Sequence, residues 1–305
     1  MLLVLGSTGF LGKNICEKLN KAGVNYFPSS LSLGVDLRDK EQVNKLFEKI
    51  HPKIIINCAS YVGGLQFGLS HAKELYRNNM LMTLNLYDAI DKYKIEKIIN
   101  PISNCTYPKQ ESLFQVDNWW NGPMHESVFV YGFVKKAVWA ASKSFNLSGS
   151  NLVSNSIILP NMYGPGDHLD EYRAHALGGM VLKFVKAKKN NEKKVTVWGT
   201  GRPIREWLHV KDGAEALIRS IDLDLGIDPV NVGRGEGETI KDLAFMIKKE
   251  VDINCEVVFD TSKQDGDPVK TLDGSTGYKA LSWSPEISLQ KGLKETVDWY
   301  KSQIL

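Results

Sequence analysis

The chain predicts an α/β fold built on a doubly wound parallel sheet with a smaller, interleaved C-terminal lobe, and three observations carry that expectation. Short apolar runs alternate with helically spaced segments from residue 2 to residue 159. A Gly6-x-x-Gly9-x-x-Gly12 run follows the first apolar segment directly. After residue 165 the regular alternation gives way to longer polar stretches. Continuous apolar strands, unlike strictly alternating ones, mark a sheet covered on both faces, and helices crossing between parallel strands provide that cover. Right-handed crossovers make the arrangement doubly wound.

In chain order, residues 2–5 form an apolar strand, and 10–21 carry helical spacing through Leu11, Ile15, Cys16 and Leu19. A short strand is expected at 25–28, a helix at 41–50 and a buried strand at 53–58, KIIINC. Residues 74–93 read as a long helix, 97–101 (KIINP) as another buried strand, 131–145 as a helix and 153–159 as the closing strand. Beyond these come a polar loop at 167–173, a helix at 175–188 with a basic end, an edge strand at 194–198 and a turn at 199–202. A helix at 210–221, a short strand at 229–232, a helix at 239–250, a strand at 256–259 and an amphipathic helix at 289–300 complete the chain. No internal repeat or low-complexity linker interrupts it.

The 305 residues suffice for one large core. A hydrophobic fraction of 43% with 24% charged residues is ordinary for a soluble enzyme. With 38 basic and 35 acidic residues, a net +3 demands neither nucleic acid nor an anionic membrane as partner. Cys16, Cys58, Cys105 and Cys255 are scattered, without a CxxC pair or a histidine cluster, which suits a reducing compartment and argues against a structural metal. The start lacks a basic signal-peptide region, and no apolar stretch approaches the roughly 20 residues a membrane span needs. A cytoplasmic location is expected.

The glycine run lies between a strand and a helix, the context in which it binds a dinucleotide in a Rossmann fold. Its glycines permit a tight turn and close backbone approach to a pyrophosphate, and the helix N-terminus offers free N–H donors. The expected division is therefore a dinucleotide-binding domain over 1–165, with 203–232 returning to it, and a second lobe made of 166–202 and 233–305. Neither an acidic nor a basic residue follows the second strand, where Ser29 and Ser30 stand, so NAD and NADP both remain open; Asp36 and Leu37 are placed under the adenine.

Tyr131 and Lys135 stand four apart, just over one helical turn, so a phenol and an ammonium share one face. A nearby cation is expected to pull the tyrosine pKa down from about 10, towards the working range of an acid–base catalyst. Ser103 follows the strand KIINP at the sheet edge where such folds bind ligands.

These features, together with YVGG at 61–64, SNCTYPK at 103–109, LPNMYGP at 159–165, VWGTGRPIREWLHVKD at 197–212 and NVGRG at 231–235, resemble the extended short-chain dehydrogenase/reductases, within them the GDP-L-fucose synthase branch (GDP-4-keto-6-deoxymannose epimerase/reductases). The resemblance implies that Tyr131 protonates the C4 oxygen as hydride arrives, Lys135 tunes it, Ser103 orients the ketone, and Cys105 and His175 exchange protons at C3 and C5. By residue type alone Cys105 reads as an inert thiol and His175 as a surface residue. The resemblance further implies cofactor contacts from Gly6, Thr8, Gly9, Phe10, Leu11, Gly12, Asp36, Leu37, Ala59, Lys135 and Leu159, and substrate contacts from Asn161, Lys183, Trp198, Arg205 and Lys270. It favours NADPH, a GDP-linked 4-keto sugar as substrate, and a homodimer through the helices at 74–93 and 131–145. Three departures stand out: the glycine loop has no basic residue, Ser29 and Ser30 replace an arginine after the second strand, and Trp119 and Trp120 occupy a segment expected to face the sugar, either closing the lobe or reshaping the pocket. Competing expectations are a C4 reductase acting on a sugar epimerised elsewhere, such as a heptose, a redox-neutral 4-epimerase, and a non-catalytic dinucleotide sensor.

Overall fold

The structure, a computed structural model, describes residues 1–109, 113–171, 173–263 and 265–305. Its first part runs β1 (Leu2–Leu5), α1 (Phe10–Lys21), β2 (Tyr26–Ser29), α2 (Lys40–Ile50), β3 (Ile54–Asn57), α3 (Leu65–Ser70), α4 (Ala72–Lys92), β4 (Lys97–Ser103), α5 (Phe129–Leu147) and β5 (Val153–Leu159). There follow β6 (Asn161–Tyr163), α6 (Ala176–Lys189), β7 (Lys194–Trp198), β8 (Ile204–Arg205), β9 (Trp207–His209), α7 (Val210–Arg219) and β10 (Val230–Asn231). The tail holds β11 (Glu238–Thr239), α8 (Ile240–Val251), β12 (Glu256–Asp260), β13 (Val269–Lys270), α9 (Ser275–Leu281) and α10 (Leu289–Ile304).

Among the described residues six strands form the main sheet in the order β10-β5-β4-β3-β1-β2, every neighbouring pair parallel. The strand order reverses direction between β1 and β3, the switch point where the carboxyl ends of such sheets open a crevice. The apolar residues of the sheet feed two cores. Leu3, Leu5, Ile55 and Ile98 enter the cluster beneath α2, α4 and α5. Leu2, Val4, Ile56 and Ile99 enter the one beneath α1 and α7. A third core, with Phe184, Val195, Ile247 and Val297, joins α6, β7, α8 and α10. Buried Glu206 ties two tail segments together, its carboxylate accepting the backbone N–H groups of Leu272 at 2.7 Å, Gly235 at 3.3 Å and Arg234.

Differences from the sequence reading are local. β4 runs to Ser103, so this serine ends the strand. α5 begins at Phe129, before Tyr131. The short α3 has too few residues for a helical period to register. Residue 172, in the expected polar loop, lies outside the described residues.

Backbone approaches backbone closely at the glycine loop. Gly6 has φ +69°, and a Cβ on Gly12 would sit 2.2 Å from the Gly6 carbonyl oxygen. Backbone cannot yield there as a side chain can, so Gly12→Ala should lower stability by about 1–3 kcal/mol. The urea midpoint measures this, and an unchanged midpoint would contradict the packing.

Candidate active site

Every candidate site residue except Gly12 lines one continuous cleft of about 1190 Å³ at the carboxyl ends of the main-sheet strands. Gly12 stands behind the glycine loop, where its lack of a side chain lets α1 approach β1.

At the cofactor end, a Cβ on Gly6 would meet the Ala59 backbone nitrogen at 2.6 Å, so the loops after β1 and β3 touch. Gly9 is the N-cap of α1 and supplies no side-chain acceptor, and the first turn contains no acidic residue. Its leading N–H groups therefore remain available to an anion. Beside them lies a hydroxyl cluster. Thr8 Oγ1 donates to Ser30 Oγ at 3.0 Å and lies 2.7 Å from Ser32 Oγ, while Ser30 and Ser32 are 3.1 Å apart. Asp36 is engaged by its own neighbour: Arg38 donates through Nε at 2.8 Å and Nη2 at 2.7 Å, holding the carboxyl below its usual range. Its carboxylate is thus part of an ion pair at the cleft wall. Leu37 and Phe10 line the cleft while packing into opposite cores. A bare glycine turn, an uncapped helix start and apolar walls fit a dinucleotide.

At the reacting end, β4 delivers Ser103 into a tight turn over Asn104–Thr106. Ser103 Oγ accepts the Cys105 N–H at 3.1 Å, and Thr106 Oγ1 donates to the Ser103 carbonyl at 2.7 Å. This turn presses on α5 at Gly132, where a Cβ would stand 2.3 Å from the Cys105 carbonyl oxygen. Tyr131 and Lys135, flanking that contact, therefore face Ser103 and Cys105 across the cleft. Lys135 is only 8% exposed and donates to the Pro101 carbonyl at 3.3 Å. Burial pulls its pKa down to about 8.

The expected depression of Tyr131 by Lys135 does not occur in the protein itself. The ammonium lies 6.0 Å from the phenol ring centroid, and burial, with the Cys105 charge adding, pushes the phenol up despite a hydrogen bond from Ser60. Tyr131 thus stays protonated, the form a proton donor requires.

His175 caps α6, donating its backbone N–H to Asp167 Oδ2 at 3.0 Å, with Nδ1 3.0 Å from Asp167 Oδ1. Burial alone would raise the Asp167 carboxyl, but His175 outweighs it and holds the group low. A carboxylate there fixes the Nδ1–H tautomer and leaves Nε2 to take or give a proton. Lys270 Nζ stands 3.7 Å from Cys105 Sγ, a cation beside the sulfur.

The remaining candidates surround the second-lobe side of the cleft. Lys270 and Arg205 are register partners across parallel β13 and β8. Lys183 Nζ sits 4.4 Å above the Trp198 ring, which is 47% exposed. Asn161 lines the cleft while donating to the Glu206 carbonyl at 3.1 Å. Trp119 and Trp120, by contrast, do not line it. Trp119 is 1% exposed and donates to Thr106 Oγ1 at 2.7 Å, and both rings pack against the Lys136 ammonium. They brace the back of the Cys105 turn. Sequence reasoning missed Ser60, Asp167 and Asp267. The first directly follows Ala59 beyond β3 and could have been suspected; the other two have no local signal.

A doubly wound sheet with this glycine loop and a Ser–Tyr–Lys set at its carboxyl edge defines a nicotinamide-dependent oxidoreductase of the short-chain dehydrogenase/reductase class. A family model described as the NAD dependent epimerase/dehydratase family matches residues 2–233, and the chain belongs to that family. Probable GDP-L-fucose synthase 1 of Oryza sativa subsp. japonica is 31% identical over 307 residues, spanning 100% of this chain and 93% of that protein. Among solved structures, a GDP-L-fucose synthetase from Naegleria fowleri bound to NADP superposes with a TM-score of 0.87 at 26% identity, over 99% of this chain and 94% of that one. A GDP-6-OMe-4-keto-L-xylo-heptose reductase from C. jejuni shares the fold, with a TM-score of 0.91 at 23% identity over 99% and 97% of the two chains.

The Lys135 shift gives a pH dependence. An amine with a pKa of about 8 is charged below that pH and neutral above it. If the ammonium orients reactants, kcat/KM falls as pH rises through about 8, and Lys135→Arg, charged throughout, moves the alkaline limb upward. A parent profile that stays level from about pH 7 to about pH 9 would contradict this reading.

Proposed function

We propose that the protein uses NADPH to reduce the C4 ketone of a GDP-linked 4-keto sugar, with Cys105 and His175 exchanging protons at the flanking carbons first. The observation that carries this reading is the convergence of Ser103, Cys105, Tyr131 and His175 on the same cleft as the paired cations Arg205 and Lys270. The relatives' names supply the substrate class, and the NADP-bound neighbour supports the cofactor choice.

When bound, the cofactor supplies hydride to C4. The glycine loop and the start of α1 receive its pyrophosphate, and the Thr8, Ser30 and Ser32 hydroxyls meet the adenosine ribose. Ser103 and Tyr131 hydrogen-bond the ketone oxygen. That polarisation acidifies hydrogens on both neighbouring carbons, because an enolate places its charge on the oxygen they hold. Cys105 comes from the end of β4 and His175 from the start of α6, so protons can leave and return from different walls of the cleft. Tyr131, kept protonated by burial, finally gives its proton to the C4 oxygen. Arg205 and Lys270 suit a pyrophosphate, and the exposed Trp198 ring suits a base or ribose.

The cation beside Cys105 favours retained epimerisation over reduction alone. We further propose a homodimer through α4 and α5, whose Tyr76, Leu84, Phe129 and Phe133 are exposed. No helix among the described residues is long and apolar enough to cross a membrane, and the cysteines are free, which supports placing the enzyme in the cytoplasm. The two-lobe division of the sequence reading is kept as part of this proposal.

Tyr131→Phe should lower reduction about 10²- to 10⁴-fold while NADPH affinity, followed by fluorescence titration, stays near the parent value. Undiminished turnover would refute the assignment. In deuterated water without nicotinamide, the parent enzyme should introduce deuterium at C3 and C5, and Cys105→Ser should abolish incorporation at one of them. Absence of label from the parent would leave reduction as the sole activity.

A further inference from the structure

Two aspartates of the segment joining β12 to β13 have opposite fates. Asp265 is saturated: its Oδ1 accepts the Thr200 N–H at 2.9 Å and its Oδ2 the Thr200 hydroxyl at 2.6 Å. Asp267, two residues on, lines the cleft and is only 2% exposed, yet its Oδ1 has no hydrogen-bond partner among the described residues. Folding ordinarily supplies a donor to a buried carboxylate oxygen. Burial holds the Asp267 carboxyl above the usual carboxylate range despite the positive charge of Lys270, Arg205 and Lys109 nearby, and no directed donor reaches Oδ1.

None of the donors around it is directed at Asp267 Oδ1. Lys270 reaches Cys105 Sγ at 3.7 Å, Arg205 donates through Nη1 to the Ile204 carbonyl at 2.8 Å, and His125 Nδ1 accepts the Ser127 N–H at 3.2 Å. The location belongs to the reacting end of the cleft. A Cβ on Gly266 would stand 3.1 Å from Arg205 Nη2 and 3.9 Å from Ser127 Oγ, and Ser127 lies just before Tyr131 on the chain. A phosphate oxygen carries no hydrogen to donate to this carboxylate, and a methyl group would leave its oxygen unpartnered. A sugar hydroxyl satisfies it.

We propose that Asp267 is a specificity-determining residue that accepts a hydrogen bond from a free hydroxyl of the substrate's sugar, on the Cys105 side of the reacting carbonyl. This rests on the nucleotide-sugar reading above and narrows it: the preferred substrate carries a hydroxyl there, and an analogue deoxygenated at that carbon is discriminated against. A site built to bond a substrate hydroxyl rejects the deoxy analogue because its own polar group is then left unpaired.

The test is kcat/KM of the parent, Asp267→Ala and Asp267→Asn on GDP-4-keto sugars that each lack one hydroxyl, with GDP affinity measured by calorimetry for all three proteins. The parent should prefer the hydroxylated partner in one such pair by about 10- to 100-fold. Asp267→Ala should erase that preference, Asp267→Asn, which keeps an acceptor oxygen, should restore part of it, and GDP affinity should be unchanged throughout. Preservation of the preference in Asp267→Ala would overturn the proposal, as would a loss of GDP affinity matching the loss on substrate, which would put the carboxylate on the nucleotide. A parent enzyme that turns over no GDP-4-keto sugar, yet binds NADPH, identifies failure of the broader reading, and the inference falls with it.

Discussion

The contact between Gly132 and the Cys105 carbonyl is the constraint on which the reacting centre depends. A Cβ at residue 132 would sit 2.3 Å from that oxygen, so only glycine lets α5 lie this close to the turn after β4. One residue before it stands Tyr131 and three after it Lys135, so the same approach sets both against Ser103 and Cys105. The turn is braced from behind by Trp119, which bonds Thr106, and by Lys136, which donates to the Trp119 carbonyl at 2.6 Å. Loosening the contact would move a proton donor, its neighbouring cation and a thiol together.

Burial at this contact also sets protonation. Desolvation disfavours charge on both members of the Tyr131–Lys135 pair, raising the phenol and lowering the amine. The outcome is a neutral phenol over the working range and an ammonium that is charged only up to about pH 8. Helical spacing brings these groups onto one face, but it does not bring the charge close enough to outweigh desolvation. Across the cleft the balance is reversed: His175 overrides the burial of Asp167, so a carboxylate remains to hold the imidazole tautomer.

The centre of the main sheet was legible because β1 and β3, the latter within KIIINC, bury both faces and so read as nearly unbroken apolar sequence. The glycine loop and the Tyr131/Lys135 pair were legible because their geometry is local, set within one turn of chain. Groups brought together by tertiary folding were not. Asp167 meets His175 across a loop, Ser60 reaches Tyr131 from another strand's end, and Asp267 enters the cleft from between β12 and β13. Asp36 reads as a free acidic residue until Arg38 is seen to close on it. Adjacent tryptophans at 119 and 120 carry no sign of which way they face; the sequence left them either closing the lobe or shaping the sugar pocket, and neither lines the cleft, Trp119 bonding Thr106 behind it.

Most directly, the account stands on hydride delivery to a sugar carbonyl beside Tyr131. NADPH carrying deuterium at the transferred position of its nicotinamide, incubated with the protein and a GDP-4-keto sugar, reads that transfer by NMR and mass spectrometry of the product. The account predicts a GDP-sugar with deuterium at C4 and a matching quantity of NADP. A product formed with unlabelled C4, or a cofactor left fully reduced while the sugar changes configuration, would contradict it.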